Sequence, residues 1–378
     1  MEMRTAFVYI KGRLTRLESV RQGDSASEFF YGSEQMRSQG HEVDLFEVRN
    51  DAATGRSERV VDLLFSCGLL PNRTRGAVLM GTKQLLPSLN KYDVVVATST
   101  GIAFSLCIWK ALGMLKPDVV AIQCGIFNYR PNWLRRAQMK MLLNNMWSVL
   151  FGEGELEEMI RIFGTPRERM KVNYFGVDTG FWCPDSSAMN NGYVLSVGND
   201  FRRDYNLLLR VAAEMPARKF VILTRIKIEA AVPPNVEIRG SSWHKEALTD
   251  IQLRDLYRGA ACVALPLKES HQPSGQSVAL QAMACGKPVI VTRTTGLWHK
   301  TLMKDGENVR LVPPGDAEAL RTAIDNMFTD RDVAKGLGAN GRKLVAAHFT
   351  IGHFAAGIAA MCQDALQNPR HRKRRGAN

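Results

Sequence analysis

Residues 265–296, LPLKESHQPSGQSVALQAMACGKPVIVTRTTG, constrain the fold more than any other stretch. The apolar run at 261–267 that leads into it predicts a buried strand. A polar turn with Pro273 and Gly275 follows, and either Ser274 or Ser277 can cap a helix running to about Cys285. Gly286 ends that helix, and the β-branched run Val289, Ile290, Val291, Thr292 starts a second strand. Strand, small-residue turn, helix, glycine and strand make a βαβ unit. Free backbone N–H groups at Gln276 and Ser277 would sit at the helix N-terminus, where the dipole favours an anion such as a diphosphate. The same residues also fit an ordinary crossover without a ligand.

AMACGKPVIVT within this stretch, and KDGENVRLVPPGDAEAL at 304–320, resemble the C-terminal half of retaining GT-B glycosyltransferases, specifically glycosyltransferase family 4. The resemblance implies an α/β fold of two doubly wound parallel-sheet, Rossmann-like domains facing a cleft. Members carry two glutamates eight positions apart before the AMA segment. This chain has Pro273 at the first position and Gln281 at the second, with Glu269 four residues upstream of Pro273.

Earlier in the chain, residues 5–10 predict a strand and residues 11–25 a loop with Gly12 and Gly23. Ser25 can cap a helix over 26–38 with Glu28 completing a capping box. HEVDLFEV at 41–48, YDVVVAT at 92–98 and PDVVAIQC at 117–124 predict further strands, with helices over 59–70 and 101–112. This alternation implies a parallel, doubly wound sheet whose ligands lie beyond the C-terminal strand ends. The candidate loops are therefore 11–25, 98–101 and 125–130. SVRQGDSAS in the first loop loosely resembles the family's glycine-rich turn, with Gly23 as the matching glycine. Arg21 there is either an acceptor or phosphate contact or a solvated charge.

NWLRRAQMKMLLNNMW at 132–147 predicts a helix with Trp133 and Trp147 at its ends and Arg135, Arg136 and Lys140 between. That pattern suits a membrane-surface helix, and also the more common case of a core-packed helix with one charged face. GVDTGFW at 176–182 resembles the family's interdomain segment, and the following CPDSSAMNNG has linker composition. The expected division is an acceptor-side domain over 1–175, a linker over 176–192 and a nucleotide-sugar domain over 193–350. A C-terminal helix at 351–368, which the resemblance sends back to the first domain, and a basic tail at 369–378 complete it.

The second domain opens with a strand at 193–197, then Gly198 and NDFRRDY. The family has Gly-Arg and a later lysine here, both reaching the donor diphosphate. This chain has Asn199 in place of the arginine, with Arg202 and Arg203 near the lysine's position. Guanidinium forks suit phosphate oxygens, so either is a candidate clamp. Trp243 is a candidate base-stacking residue.

The resemblance implies transfer of a sugar, of hexosyltransferase type, from a nucleotide-diphosphate sugar to a hydroxyl with retention and without a metal or other cofactor. Cationic side chains and a helix N-terminus would neutralise the leaving diphosphate. The donor-binding candidates are Gly198, Arg202, Arg203, Gly275, Gln276, Ser277 and Gln281, the last a ribose contact. His271, Glu269 and Asp24 are the candidates beside the reacting sugar. A binding or partner protein that has lost catalysis is the competing reading, because both glutamate positions differ. A transferase acting on a small soluble acceptor is another. A dinucleotide oxidoreductase fits poorly, since GNDFRRD replaces the expected GxGxxG.

Composition narrows the partners. The net charge of +13 over 378 residues attracts polyanions, and RHRKRR at 370–375 concentrates it. The tail reads as a tether to an anionic membrane, such as the inner face of a cytoplasmic one, where a glycan or lipid-linked acceptor for polysaccharide or glycolipid synthesis would lie. No stacking-aromatic motif accompanies it, so nucleic acid is not an expected partner. The start, MEMRTAFVYIKGRL, reads as a strand rather than a leader, and no apolar run reaches membrane-spanning length. Seven singly placed cysteines without a CxxC pair predict buried free thiols in a reducing compartment, such as the cytoplasm.

Overall fold

The computed structural model describes residues 3–71, 75–123, 126, 132–185, 187, 191–240 and 248–367. The 125–130 loop apart from Ile126, Cys124, Trp243 and the 370–375 basic run lie outside the described residues. The described chain divides into two units. Unit 1 holds residues up to 18, 29–173 and those from 354 onward. Unit 2 holds residues 19–28 and 174–353.

Unit 1 carries six strands: β1 (Arg4–Ile10), β2 (Glu42–Val48), β3 (Val94–Ala97), β4 (Asp118–Ile122), β5 (Trp147–Leu150) and β6 (Met170–Val172). They form one sheet in the order β2-β1-β3-β4-β5-β6, with every pairing parallel. Its helices are α1 (Leu17–Arg21, running on into unit 2), α2 (Ser33–Ser38), α3 (Arg56–Ser66), α4 (Gly76–Leu89), α5 (Thr100–Ala111), α6 (Trp133–Leu143) and α7 (Glu153–Phe163).

Unit 2 repeats the plan with β7 (Tyr193–Val197), β8 (Lys219–Leu223), β9 (Val236–Arg239), β10 (Ala260–Leu265), β11 (Val289–Thr292) and β12 (Arg310–Val312). These are all parallel, in the order β12-β11-β10-β7-β8-β9. Its helices are α8 (Tyr205–Ala213), α9 (Asp250–Gly259), α10 (Gln276–Ala284), α11 (Ala317–Thr329) and α12 (Arg331–His348). The last helix, α13 (Ile351–Gln367), begins in unit 2 and has its residues from 354 onward in unit 1.

The central strands read as unbroken apolar runs because helices cover both faces of each sheet. All of β3, β5, β7 and β11 is buried. The sheet pattern was legible from that alternation. Helix ends follow side-chain caps: Ser99, Asn132, Asp204, Asp316 and Asp330 each accept from an amide of the first turn.

Several local expectations fail, the first being the loop over 11–25, which contains α1. The helix expected over 26–38 is broken: a 3-10 turn at Glu28–Phe30 is followed by Tyr31 and Gly32 at positive φ, and only α2 is helical. Ala26, Ser27 and Glu28 are drawn into tertiary hydrogen bonds instead of a capping box. Trp147 does not end a helix. α6 stops at Leu143, and Trp147 begins β5, only 8% exposed. Neither Ser274 nor Ser277 caps α10; Gly275 does, at φ 74°. The described cysteines are all free, with Cys107, Cys262, Cys285 and Cys362 buried and Cys67 exposed.

Candidate donor-binding site

The site assembles at the C-terminal ends of β7 and β10. These neighbours continue to opposite sides of the sheet, β7 to β8 and β10 to β11. Open parallel sheets bind ligands at such a switch point. Two loops meet there, residues 198–204 after β7 and 266–275 after β10. Backbone bonds lace them together: Asp204 N donates to Pro266 O at 3.0 Å, Lys268 N to Arg202 O at 2.8 Å, and Arg203 bridges Leu267. Asp200 adds a side-chain tie, accepting at Oδ1 from Arg202 N (3.0 Å) and Ser274 Oγ (2.9 Å).

Arg203 lies at the centre, 6% exposed. Its guanidinium occupies the space left by two missing side chains. A Cβ on Gly198 would collide with Nε, and one on Gly275 would come within 2.6 Å of Nη1. Glycine at 275 is doubly required, because its left-handed φ also disfavours a side chain. Asp200 Oδ2 lies 3.3 Å from Nε, close enough to pair by charge. The N–H is not aimed at it, however, and neither Nε nor Nη1 has a hydrogen-bond acceptor among the described residues.

A second orphan lies alongside. Gln276 opens α10, is 7% exposed, and its Nε2 has no partner among the described residues. The first intrahelical bond of α10 is Ala279 N to Gly275 O, so the amides of Gln276, Ser277 and Val278 are not used by the helix. A buried unsatisfied donor costs about 1–3 kcal/mol. Two such side chains at one helix N-terminus, one of them cationic, are chemically suited to receive an anion.

The other expected residues are placed as follows. Arg202 donates from Nη2 to Gln272 Oε1 at 3.0 Å and stacks over Phe201, so its fork is partly spent on the protein. Glu269 is exposed, and Oε1 accepts from Ser270 N (2.9 Å) and Thr295 N (2.8 Å). It lines a cavity of about 670 Å³ with Arg293, Lys300 and Asp305, whose lining includes none of Arg203, Gly275 or Gln276. His271 is exposed on the same turn. Asp24 is exposed on the 19–28 segment.

Gln281 differs from its expected setting. It is 3% exposed with both amide ends engaged, Oε1 accepting from Tyr257 Oη at 3.0 Å and Nε2 donating to Glu28 Oε1 at 2.9 Å. Glu28 is fully buried. It also accepts from Trp182 Nε1 at 2.7 Å and from Asp178 N at 3.3 Å. Burial pushes its carboxyl up to about 7, against the hydrogen bonds from Gln281, its own backbone and Trp182. Ala26 N donates to Asp250 and Ser27 Oγ to Asp178, so three consecutive residues pin the 19–28 segment to unit 2. Sequence reasoning missed Glu28 because Ser25 and Glu28 match a local capping pattern. Trp182, Tyr257 and Gln281, which surround Glu28, lie far from it in sequence and carry no local signal.

The group 1 glycosyl transferase family model matches residues 193–330. A lipopolysaccharide core biosynthesis glycosyltransferase of Rhizobium meliloti is 34% identical over 91 residues, 24% of this chain and 26% of its own length. An α-(1→4)-mannosyltransferase of Mycolicibacterium hassiacum is 24% identical over 216 residues, covering 55% of this chain and 52% of that protein. The chain thus spans about half or less of the curated relatives it matches. Among solved structures, sucrose-phosphate synthase of Thermosynechococcus elongatus superposes with a TM-score of 0.69 at 17% identity, over 96% of this chain and 98% of its own. Anabaena HepE in complex with UDP-glucose gives 0.69 at 16% identity, over 96% and 99%. The chain has the GT-B fold, and its residues 193–330 are similar to the group 1 glycosyl transferases.

Proposed function

We propose that this protein transfers a sugar from a nucleoside-diphosphate sugar to a hydroxyl acceptor, with retention and without a metal. The buried, unsatisfied fork of Arg203 at the N-terminus of α10 carries the reading. Diphosphate oxygens accepting from Nη1, Gln276 Nε2 and the first amides of α10 would satisfy those donors, with Nε kept beside Asp200. The same donors would strengthen as the bond to the anomeric carbon breaks and charge collects on the departing diphosphate. HepE, a structural relative, is known bound to UDP-glucose, which makes uridine diphosphate the first ligand to test. The acceptor class we favour is a glycan or lipid-linked glycan reached from the cytoplasmic side of a membrane; the Rhizobium meliloti relative is a lipopolysaccharide core biosynthesis glycosyltransferase.

Thermal shift with UDP, GDP, ADP, CDP and NAD, each with and without EDTA, tests the donor site. One nucleoside diphosphate at a hundred times its dissociation constant should add about 2.7 kcal/mol, unchanged by EDTA. No shift with any diphosphate would remove the reading. Gly198→Ala should weaken binding of that nucleotide about tenfold or more by calorimetry, because the new methyl group takes the place of the Arg203 guanidinium. Binding without turnover or donor hydrolysis would favour the second reading, a non-catalytic binding protein. Gln281 engaged by Glu28 in place of the family's second glutamate is the observation behind that alternative.

A further inference from the structure

Unit 1 presents a surface that neither its core nor a donor site explains. On α3, Val60, Leu63 and Leu64 share one face at i, i+3 and i+4 and are 54%, 62% and 36% exposed. On α6, Trp133 is 79% and Met141 54% exposed, on the face shared by Arg136, Ala137 and Lys140. That face is opposite Met139, Leu142 and Leu143, which enter the unit's core. The two helices are joined. Arg135 Nη2 donates to Phe65 O at 2.9 Å with its guanidinium over the Phe65 ring, and Gln138 Nε2 donates to Leu69 O at 3.0 Å. Leu69 is itself 59% exposed. Exposed apolar side chains grouped on two joined helices, unlike ones scattered singly, mark an interaction surface.

The exposed charged side chains on these two helices are cations, while Glu58 and Asp62 of α3 are half-buried. Arg56 and Arg59 on α3, and Arg136 and Lys140 on α6, are exposed. The carboxylates of α3 are turned to other work: Glu58 accepts from the Thr54 and Gly55 amides, and Asp62 from the Gly76 amide. α6 contains no carboxylate. Exposed tryptophan, leucine and methionine among exposed arginine and lysine is the pattern that inserts into the headgroup boundary of an anionic bilayer. No helix among the described residues is long and apolar enough to cross one.

We propose that the α3–α6 face of unit 1 docks on an anionic lipid surface, with Trp133, Val60, Leu63 and Leu69 entering the headgroup boundary and the four cations meeting lipid phosphates. This assigns membrane contact to folded helices rather than to the C-terminal basic run. It rests on no property of the donor site, and its test reads lipid binding alone.

The experiment is sedimentation of the full chain with vesicles of equal parts phosphatidylglycerol and phosphatidylcholine, and with phosphatidylcholine alone, at about 0.15 M salt. The wild-type chain should bind the anionic vesicles and not the neutral ones. Leu63→Asp with Trp133→Ser, and separately Arg136→Glu with Lys140→Glu, should each weaken binding roughly tenfold, with circular dichroism unchanged because all four positions face solvent. Failure of the wild-type chain to bind anionic vesicles overturns the proposal. So does undiminished binding by both variants, which would transfer the contact to residues 370–375. A wild-type dimer by sedimentation velocity that Leu63→Asp converts to a monomer also overturns it, since a second copy then covers the face.

Discussion

Arg203→Ala should lose most nucleoside-diphosphate binding while leaving the ligand-free protein as stable as before, or more so. The two effects have opposite signs because the guanidinium is buried without acceptors for Nε and Nη1. Keeping those donors dry costs the empty protein about 1–3 kcal/mol per unmet group, and alanine removes that cost. A hydrogen bond to a charged partner contributes about 1.5–3 kcal/mol, so losing the fork should weaken diphosphate binding by roughly ten- to a hundredfold per bond. Turnover should fall about 10²–10³-fold, since the interaction grows as charge develops on the leaving group. Arg203→Lys should recover little, because one ammonium cannot reproduce a planar fork lodged between Gly198 and Gly275. Calorimetry with UDP and a thermal melt of the same samples check both halves. Equal affinity in the variant, or a large loss of stability without ligand, would mean that Arg203 is only a structural brace to Asp200.

The parts of this site that were legible from sequence are those set by local patterns. Gly198 follows an apolar strand and Gly275 precedes a helix, so a switch-point turn was predictable before any distance was known. Arg203 could not be separated from Arg202 on the same grounds. They are adjacent and chemically alike, and the choice depends on Asp200 and Gln272, which turn Arg202 outward onto Phe201 and leave Arg203 between the glycines. Glu28 was out of reach for a different reason. Its local sequence satisfies a capping box, and a capping box needs no distant partner. The contacts that override it come from Trp182 and Gln281, 154 and 253 residues away. Trp147 failed in the opposite direction: side-chain chemistry suggested an interface, but Asn144 and Asn145 end α6 first and the tryptophan falls in a strand. Strong periodicity placed the elements, and tertiary competition for a few polar groups decided the rest.

Glu28 should make the protein's stability fall as pH rises through neutrality, and Glu28→Gln should remove that dependence. The sign follows from its environment. Burial raises the carboxyl from 4.5 to about 7 in the folded protein, so the folded state binds the proton more tightly than the unfolded one. The stabilisation is therefore complete below about 4.5 and disappears as pH rises through 7. At about 1.4 kcal/mol per pH unit the full span is roughly 3 kcal/mol. Urea denaturation of wild type and Glu28→Gln at several pH values between 5 and 8 measures it as a difference, in which other titrating groups cancel. Parallel curves would rule out Glu28 as the source. The same geometry explains the glutamine at 281. A glutamate there would set a second carboxylate about 2.9 Å from Glu28 in a buried site, with Asp178 and Asp250 on the same segment's other contacts. Two carboxylates so placed cannot both ionise. Gln281→Glu should therefore steepen the loss of stability with pH, while Gln281→Glu combined with Glu28→Gln restores a single carboxylate and most of the wild-type stability. Recovery in the double variant would show that position 281 carries an amide because position 28 carries the acid.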